Sequence, residues 1–285
     1  VTNTLRSRVL LTPAQLNTMM SEGRDLIILA VQSINPYTGA DSIRDRRIPG
    51  AIDTEAYEDF QSPSSPTEGA RPLPEVAVLQ AKARRWGLRP EATIVIYDSD
   101  RSMVAARAWW TLRWAGLPDV RVLDGGMPAW LKANLPSTAD KPVPTPSDIV
   151  LSPSHMPELD ADGAAALARS GILLDARIRP NYVGGPTPAG APARGHIPGA
   201  ISTPAHDNLT DYGTFADQDA LTGIYEAAGA DGSKPVGAYC GAGMSAAHTV
   251  LALAAIGIEA ALYVGSWSQW AADPARPVIR GGRPG

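Results

Sequence analysis

The sequence predicts an α/β protein built from two similar units, each a mainly parallel sheet with helices on both faces. Three observations lead there. Apolar runs of strand length, such as Leu26-Ile27-Ile28-Leu29-Ala30-Val31 and Ile94-Val95-Ile96-Tyr97, alternate with helical stretches. Strands that are apolar on both faces need a helix layer over each. Four motifs then recur in the same order. Ile48-Pro49-Gly50-Ala51-Ile52 returns as Ile197-Pro198-Gly199-Ala200-Ile201, and the run ending at Asp98 returns as Val236-Gly237-Ala238-Tyr239-Cys240. Ala105-Ala106 returns as Ala246-Ala247, and Leu123-Asp124-Gly125-Gly126 with Trp130 as Tyr263-Val264-Gly265-Ser266 with Trp270. The separation drifts only from 149 to 140 residues, which indicates a duplicated domain. Finally, 285 residues suffice for two cores.

In order, the first half opens with a short strand around Val9-Leu10-Leu11. A helix follows, with Thr12 as N-cap and Pro13 at its first position. The buried run from Leu26 to Val31 comes next, then a long connection carrying the Ile-Pro-Gly-Ala turn. A helix from Leu79 to Trp86 leads to the strand Thr93 to Tyr97. A helix from Val104 to Ala115 is stopped by Gly116, and a strand Val120 to Leu123 and a helix near Pro128 to Lys132 complete the half. The second half has its clearest strands at Gly171 to Leu174 and Ala260 to Val264. Prolines 136, 142, 144, 146 and 153 mark an extended connection without periodicity. The expected organisation is a domain over 1–138, a linker over 139–150 and a second domain over 151–285.

Composition excludes several classes. A net charge of −4 and a pI near 5.6 give no electrostatic case for nucleic acid or a membrane surface. No apolar run is long enough to span a bilayer, and no signal-peptide pattern opens the sequence. A single cysteine cannot form an intramolecular disulfide, so nothing demands an oxidising compartment and a cytoplasmic location is expected. It also excludes a cysteine-rich zinc site, and His155, His196, His206 and His248 lack ligand spacing; no metal or cofactor is expected.

That cysteine, Cys240, carries the chemistry. It follows the apolar run Pro235 to Tyr239 and opens the loop Gly241-Ala242-Gly243-Met244-Ser245, before a helix from Ala246 to Ile256 stopped by Gly257. Backbone amides of such a loop and the helix N-terminus stabilise negative charge and so favour a nucleophilic thiolate. In parallel sheets ligands bind beyond the C-terminal strand ends, where Cys240 falls. A buried cysteine is otherwise a small hydrophobe, but the strand–glycine-loop–helix setting marks Cys240 as the candidate nucleophile.

Together, the two halves, the paired Ile-Pro-Gly-Ala turns, the paired Gly-x-x-x-Trp motifs and the Cys-Gly-x-Gly loop confined to the second half resemble the tandem rhodanese-domain sulfurtransferases over nearly the whole chain. The loop Cys240-Gly241-Ala242-Gly243-Met244-Ser245-Ala246 is closer to the 3-mercaptopyruvate branch than to the thiosulfate branch, whose cysteine is usually followed by charged residues. The ending Tyr263-Val264-Gly265-Ser266-Trp267-Ser268-Gln269-Trp270 is similar to the family's as well. The resemblance implies two rhodanese-like domains. The second would be catalytic, with Cys240 as nucleophile, and the first inactive, because Asp98 stands where the cysteine would be. Gly241, Ala242, Gly243, Met244 and Ser245 would cradle the persulfide and Arg177 and Arg179 the donor. The small-molecule donor would be 3-mercaptopyruvate or thiosulfate, and the acceptor cyanide or a thiol such as thioredoxin.

The chain also departs from the family. Ala242 replaces the serine or threonine common two residues after the cysteine, leaving Ser245 as a substitute. Arg71 replaces the histidine common before Pro-Leu-Pro, here Pro72-Leu73-Pro74. Asp175-Ala176-Arg177 is kept, but Asn181 stands where an arginine is expected before Tyr182, and a second expected arginine falls in the uncharged stretch Gly184 to Pro192. Arg71, Arg179 or Arg194 could replace them, since a guanidinium matches a carboxylate in bidentate fashion. Three readings follow: an active sulfurtransferase, a sulfur carrier or partner-docking module with weak donor turnover, and a cysteine phosphatase or arsenate reductase. The last is disfavoured by Ala246, where a phosphate-binding arginine is needed. Other residues have structural readings. His196 reads as a hydrogen-bonder that fixes its turn, His248 as a helix residue near the thiol, Trp109, Trp110 and Trp114 as packing. Arg177 reads either as half of an ion pair or as a donor ligand.

Overall fold

A computed structural model describes residues 5–33, 45–186 and 194–285. The chain divides into two compact units. One comprises Val1–Gln61, Leu73–Met156 and Asp211–Phe215, the other Ser62–Pro72, Pro157–Thr210 and Ala216–Gly285. Each half therefore lends a short segment to the other's unit. The second expected substrate arginine lies in a stretch, 184–192, most of which falls outside the described residues.

In the first unit the strands are β1 (Leu10–Leu11), β2 (Leu26–Gln32), β3 (Ile52–Glu55), β4 (Thr93–Tyr97) and β5 (Val120–Leu123). They form one parallel sheet in the order β1-β5-β4-β2-β3. The helices are α1 (Pro13–Ser21), α2 (Ala56–Asp59), α3 (Val76–Arg85), α4 (Met103–Trp114) and α5 (Gly126–Lys132). The second unit repeats the plan with β6 (Glu158–Leu159), β7 (Ile172–Asp175), β8 (Ile201–Ser202), β9 (Val236–Tyr239) and β10 (Ala260–Tyr263), ordered β6-β10-β9-β7-β8. Its helices are α6 (Ala161–Ser170), α7 (Arg179–Val183), α8 (Gln218–Ala227), α9 (Met244–Ala255) and α10 (Ser266–Trp270). Among the described residues no helix is long and apolar enough to cross a membrane.

The expected α1 cap is present: Thr12 and Gln15 bond each other's backbone in a capping box. Sequence periodicity missed the two-residue β6, and also β3 and β8, the edge strands directly after the two Ile-Pro-Gly-Ala turns. They are four and two residues long and half-exposed, too short and too polar to leave a period. Helix starts shift as well. α3 begins at Val76, α5 at Gly126 and α9 at Met244, each ahead of the first apolar residue that marked it. The stretch 139–150 has no helix or strand, yet it is pinned to the first unit. Ser147 N–H donates to the Arg84 carbonyl (2.9 Å), and Arg84 Nε donates to the Ile149 carbonyl (2.8 Å).

Equivalent side chains fill equivalent cores. Ile48, Ala51, Tyr97, Met127 and Trp130 cluster on one sheet face of the first unit, and Ile197, Ala200, Tyr239, Trp267 and Trp270 on that of the second. Burying each large apolar side chain contributes roughly 1.5–3 kcal/mol before conformational entropy is subtracted. The turns are type II, with proline at the second position and Gly50 (φ +81°) or Gly199 (φ +84°) at the third, where a side chain would be strained. The last tyrosine of the central strand holds each turn: the Ile48 N–H donates to Tyr97 Oη (3.1 Å) and the Ile197 N–H to Tyr239 Oη (3.2 Å).

In the first unit the loop after β4 curls around its own carboxylate. Asp98 Oδ1 accepts the N–H groups of Asp100 (3.0 Å) and Ser102 (2.9 Å), and Oδ2 those of Val104 (3.0 Å) and Ala105 (2.9 Å). Burial pushes this carboxyl up to about 6, against the pull of the amides. The folded value lies above the unfolded one, so this group's contribution to stability is full below about pH 4 and is lost as pH rises through about 6. A carboxyl-carbon NMR titration should give Asp98 a midpoint near 6, displaced from exposed aspartates. Ionisation persisting below pH 4 would show that the four amides outweigh burial.

Candidate active site

Cys240 lies one residue beyond β9, at the C-terminal edge of the second sheet, and is 3% exposed. Its Sγ accepts the Gly243 N–H at 3.1 Å. Gly243 caps α9 in a left-handed conformation (φ +80°), turning the chain so that the first helical turn begins directly behind the sulfur. The amides of Met244, Ser245 and Ala246 open α9 and have no carbonyl partner within the helix.

The carbonyls of the loop face the other way and are held by α10. Trp267 N–H donates to the Cys240 carbonyl and Ser268 N–H to the Gly241 carbonyl, both at 2.9 Å. Cys240 N–H donates to Ser266 Oγ (3.2 Å), and that hydroxyl donates to the Tyr263 carbonyl (2.8 Å). Ser266 takes up a left-handed conformation (φ +52°), an expensive one for a residue with a side chain, and is fully buried.

The first unit shows what this loop shape does to an anion. The left-handed residue before α4 is Ser102 and that before α9 is Gly243; each donates its N–H to the side chain at the loop's start. Counting from those residues, the Val104 and Ala105 amides that hold the Asp98 carboxylate correspond to Ser245 and Ala246. Met127 N–H donates to the Asp98 carbonyl (2.9 Å) just as Trp267 N–H does to that of Cys240. One loop thus carries a carboxylate in its cradle, and its duplicate carries a thiol.

A buried polar network supports the loop from below. Asp175 ends β7 and is fully buried. It accepts Tyr239 Oη (2.5 Å) and Arg177 Nε (2.9 Å) and Nη2 (2.5 Å). Arg177 Nη2 also donates to the Gly195 carbonyl (2.6 Å), and the guanidinium sits 4.3 Å from the centre of the Trp267 ring. Burial, and then the charge of Asp175, push the Tyr239 phenol well above the ordinary tyrosine value, so it stays a donor.

The expected site residues therefore separate. Cys240, Gly241, Ala242, Gly243, Met244 and Ser245 form one continuous loop and helix start, Gly241 being exposed and Met244 and Ser245 half-buried. Arg177 makes the ion pair of its first reading: Nε and Nη2 bond Asp175, and Nη2 also the Gly195 carbonyl. Arg179 opens α7 and is exposed, its Nη2 lying beside Gly282. Arg194 is half-buried next to Gly184. Arg71 lies on the segment Ser62–Pro72, which belongs to the same unit as Cys240. His196 is buried between two carbonyls, Tyr182 (2.9 Å) and Arg283 (3.0 Å), and stacks on the Tyr182 ring. His248 is buried on α9 with Nδ1 3.5 Å from the Asn208 side chain. Trp109, Trp110 and Trp114 are buried along α4. Sequence reasoning missed Asp175, Tyr239, Ser266 and Trp267 as supports. Their signal was position alone, at strand ends and in the repeated Gly-x-x-x-Trp motif.

Residues 12–133 and 159–273 match the rhodanese-like domain family. The chain is 38% identical over 280 residues to SseB of Mycobacterium tuberculosis, a protein named for thiosulfate sulfurtransferase activity, covering 97% of this chain and 98% of that one. It is 32% identical over 259 residues to the 3-mercaptopyruvate sulfurtransferase of Homo sapiens, covering 87% and 86% of the two chains. Among solved structures, YnjE superposes with a TM-score of 0.84 at 24% identity, over 97% of this chain and 69% of that one. EanB superposes with a TM-score of 0.82 at 22% identity, over 97% and 70%. At those identities the two structures speak for the fold alone. The family match over both halves, and relatives this similar over nearly the whole length, place the chain in the rhodanese-like family as a two-domain sulfurtransferase.

Proposed function

We propose that Cys240 accepts a sulfane sulfur from a small anionic donor, holds it as a persulfide, and passes it to cyanide or a thiol. The observation that carries this reading is the sulfur's position inside a loop whose duplicate gathers four amides on a carboxylate. The Cys240 thiolate attacks the outer sulfur of the donor. With 3-mercaptopyruvate the carbon–sulfur bond breaks, and the electron pair leaves on the pyruvate enolate, which then takes a proton. With thiosulfate the sulfur–sulfur bond breaks and sulfite departs. Either way Cys240 carries one added sulfur bearing a negative charge, which the amides of Gly243, Ser245 and Ala246 would stabilise. Attack by cyanide gives thiocyanate, and attack by a thiolate, thioredoxin among the candidates, gives a new persulfide; both return the Cys240 thiolate. Ping-pong kinetics follow.

In this reading Arg179 contributes positive charge towards the donor. Arg177 acts as a positioning residue through Asp175 and Trp267. The names of the relatives point to both donors. Asn181, where the family commonly has arginine, favours a second reading as a sulfur carrier with weak turnover of small donors. With one cysteine and no resolving partner in the chain, reduction comes from outside, which fits the cytoplasm as the expected compartment.

Intact-mass measurement after exposure of the reduced protein to each donor should show one added sulfur on the wild type and none on Cys240→Ser. Steady-state turnover of that variant should fall on the order of 10³-fold or more. Turnover retained in Cys240→Ser would end the persulfide reading; sulfur loading without saturable turnover would favour the carrier. Tyr239→Phe removes the hydroxyl that bonds Asp175 and Ile197 and should cost about 1–3 kcal/mol in chemical denaturation. Its sulfur loading should persist at a reduced rate, whereas unchanged stability would show the network to be dispensable.

A further inference from the structure

The residue before each Ile-Pro-Gly-Ala turn is a buried side chain that grips the stretch of chain following its unit's last helix. In the first unit it is Arg47, 1% exposed, which exchanges two N–H···O bonds of 2.9 Å with Thr138. Its Nη1 donates to the carbonyls of Ala139 (2.6 Å) and Asp140 (3.0 Å), and its Nε and Nη2 to the Asp53 carboxylate (3.2 and 3.0 Å). In the second unit it is His196, fully buried, which exchanges N–H···O bonds of 2.9 and 3.0 Å with Ile279. The segment 279–284 runs on from there. Gly281 N–H donates to the Val183 carbonyl and Gly199 N–H to the Pro284 carbonyl, both at 2.7 Å, and Gly282 lies against Arg179 Nη2. The segment thus braces both α7 and the turn.

Both nitrogens of the His196 ring meet carbonyl oxygens, Nδ1 that of Tyr182 (2.9 Å) and Nε2 that of Arg283 (3.0 Å). A carbonyl oxygen only accepts, so each nitrogen must carry a proton. A neutral imidazole has one N–H, and its other nitrogen would turn a lone pair on a carbonyl oxygen. Only the imidazolium makes both bonds, as the counterpart of the Arg47 guanidinium, and the Tyr182 ring stacked 3.8 Å away suits a cation. The counter-charge differs between the units. Where the first has Asp53 after Ile52, the second has Ser202 after Ile201, and among the described residues no carboxylate bonds the His196 ring. Asp175, in register with Ser202 on β7, is bound to Arg177 and Tyr239. The other ionisable groups around the ring are Arg177, through the Gly195 carbonyl, Arg194 and Arg280 beside that glycine, Arg283, and Tyr239, whose hydroxyl accepts the Ile197 N–H. An arginine keeps its charge at any working pH, whereas imidazoles gain and lose theirs between about pH 5 and 8.

We infer that His196 is a protonation-dependent latch: as imidazolium it holds the segment 279–284 against the turn, and as a neutral ring it releases the Arg283 carbonyl. The Tyr182 bond is the one kept, because the ring stacks on that residue. The segment is therefore held at low pH and loosens as pH rises, and with it loosens the brace on α7. Arg47 is the same latch without the switch. The inference needs nothing from the persulfide reading of Cys240.

The test uses the full chain, 15N-labelled, as wild type and His196→Gln. Ring-nitrogen NMR, assigned by the signals that the variant lacks, should show both His196 nitrogens protonated at about pH 5 and one at about pH 8. Amide hydrogen exchange, expressed as protection relative to the unfolded chain, should fall about 10-fold at Ile279, Gly281 and Gly199 between those two pH values. Thr138, held by Arg47, should stay within about 2-fold. In His196→Gln the three amides should be weakly protected at both pH values. The wild-type comparison with Thr138 stands even if the variant does not fold. Constant protection in the wild type would overturn the latch, as would an equal fall at Thr138 or a fall that persists in His196→Gln. A ring whose protonation is the same at both pH values would overturn it too.

Discussion

The loop that presents Cys240 keeps its shape because α10 holds its carbonyls. Two backbone amides, Trp267 and Ser268, and one strained serine hydroxyl fix the residues on either side of the sulfur. Peptide units rotate as rigid planes, so pinning the carbonyls outward turns the amides inward. That constraint is how α10 sets the orientation of the Gly241 and Ala242 amides. It also explains why the start of α10 is crowded with roles: Ser266 bonds Cys240, Trp267 lies under the Arg177 guanidinium, and Ser268 receives the segment that carries Arg71.

Duplication provides an internal control on the chemistry. The two units share strand order, turn type, the tyrosine that holds the turn, and a left-handed residue donating to the first side chain of the loop. What differs is that side chain. A carboxylate fills the cradle of the first unit and consumes its amides, so no external anion can use them. A thiol is shorter, uses the Gly243 amide, and leaves the helix amides for an added atom. One residue of the first unit therefore decides both features: there is no thiol, and the helix amides are taken. The tyrosine network diverged as well. Tyr239 bonds Asp175, which binds Arg177, whereas the residue in register with the first unit's Tyr97 is Ala30, which has no polar group to offer.

Much of this was legible in the sequence. The repeat gave two units, the apolar runs gave seven of the ten described strands in place or nearly so, and the glycine loop after a buried strand singled out Cys240. The edge strands β3 and β8 were not legible, because two to four half-exposed residues carry no period. Their existence depends on β2 and β7 offering a free edge. Likewise, Arg177 had two readings in the sequence, and only the fold shows the ion pair, by placing Asp175, Gly195 and Trp267 around its guanidinium.

The sequence by itself thus determined the α/β class and the duplication, and it singled out Cys240 as the candidate nucleophile and Asp98 as its thiol-free counterpart, since these are local properties of residue type and spacing. Tertiary structure decided which arginine is bound, which serine supports the cysteine, and on which unit Arg71 rides. Those depend on contacts between residues far apart in the chain, such as Ala70 with Ser268, and no local pattern encodes a partner some two hundred residues away.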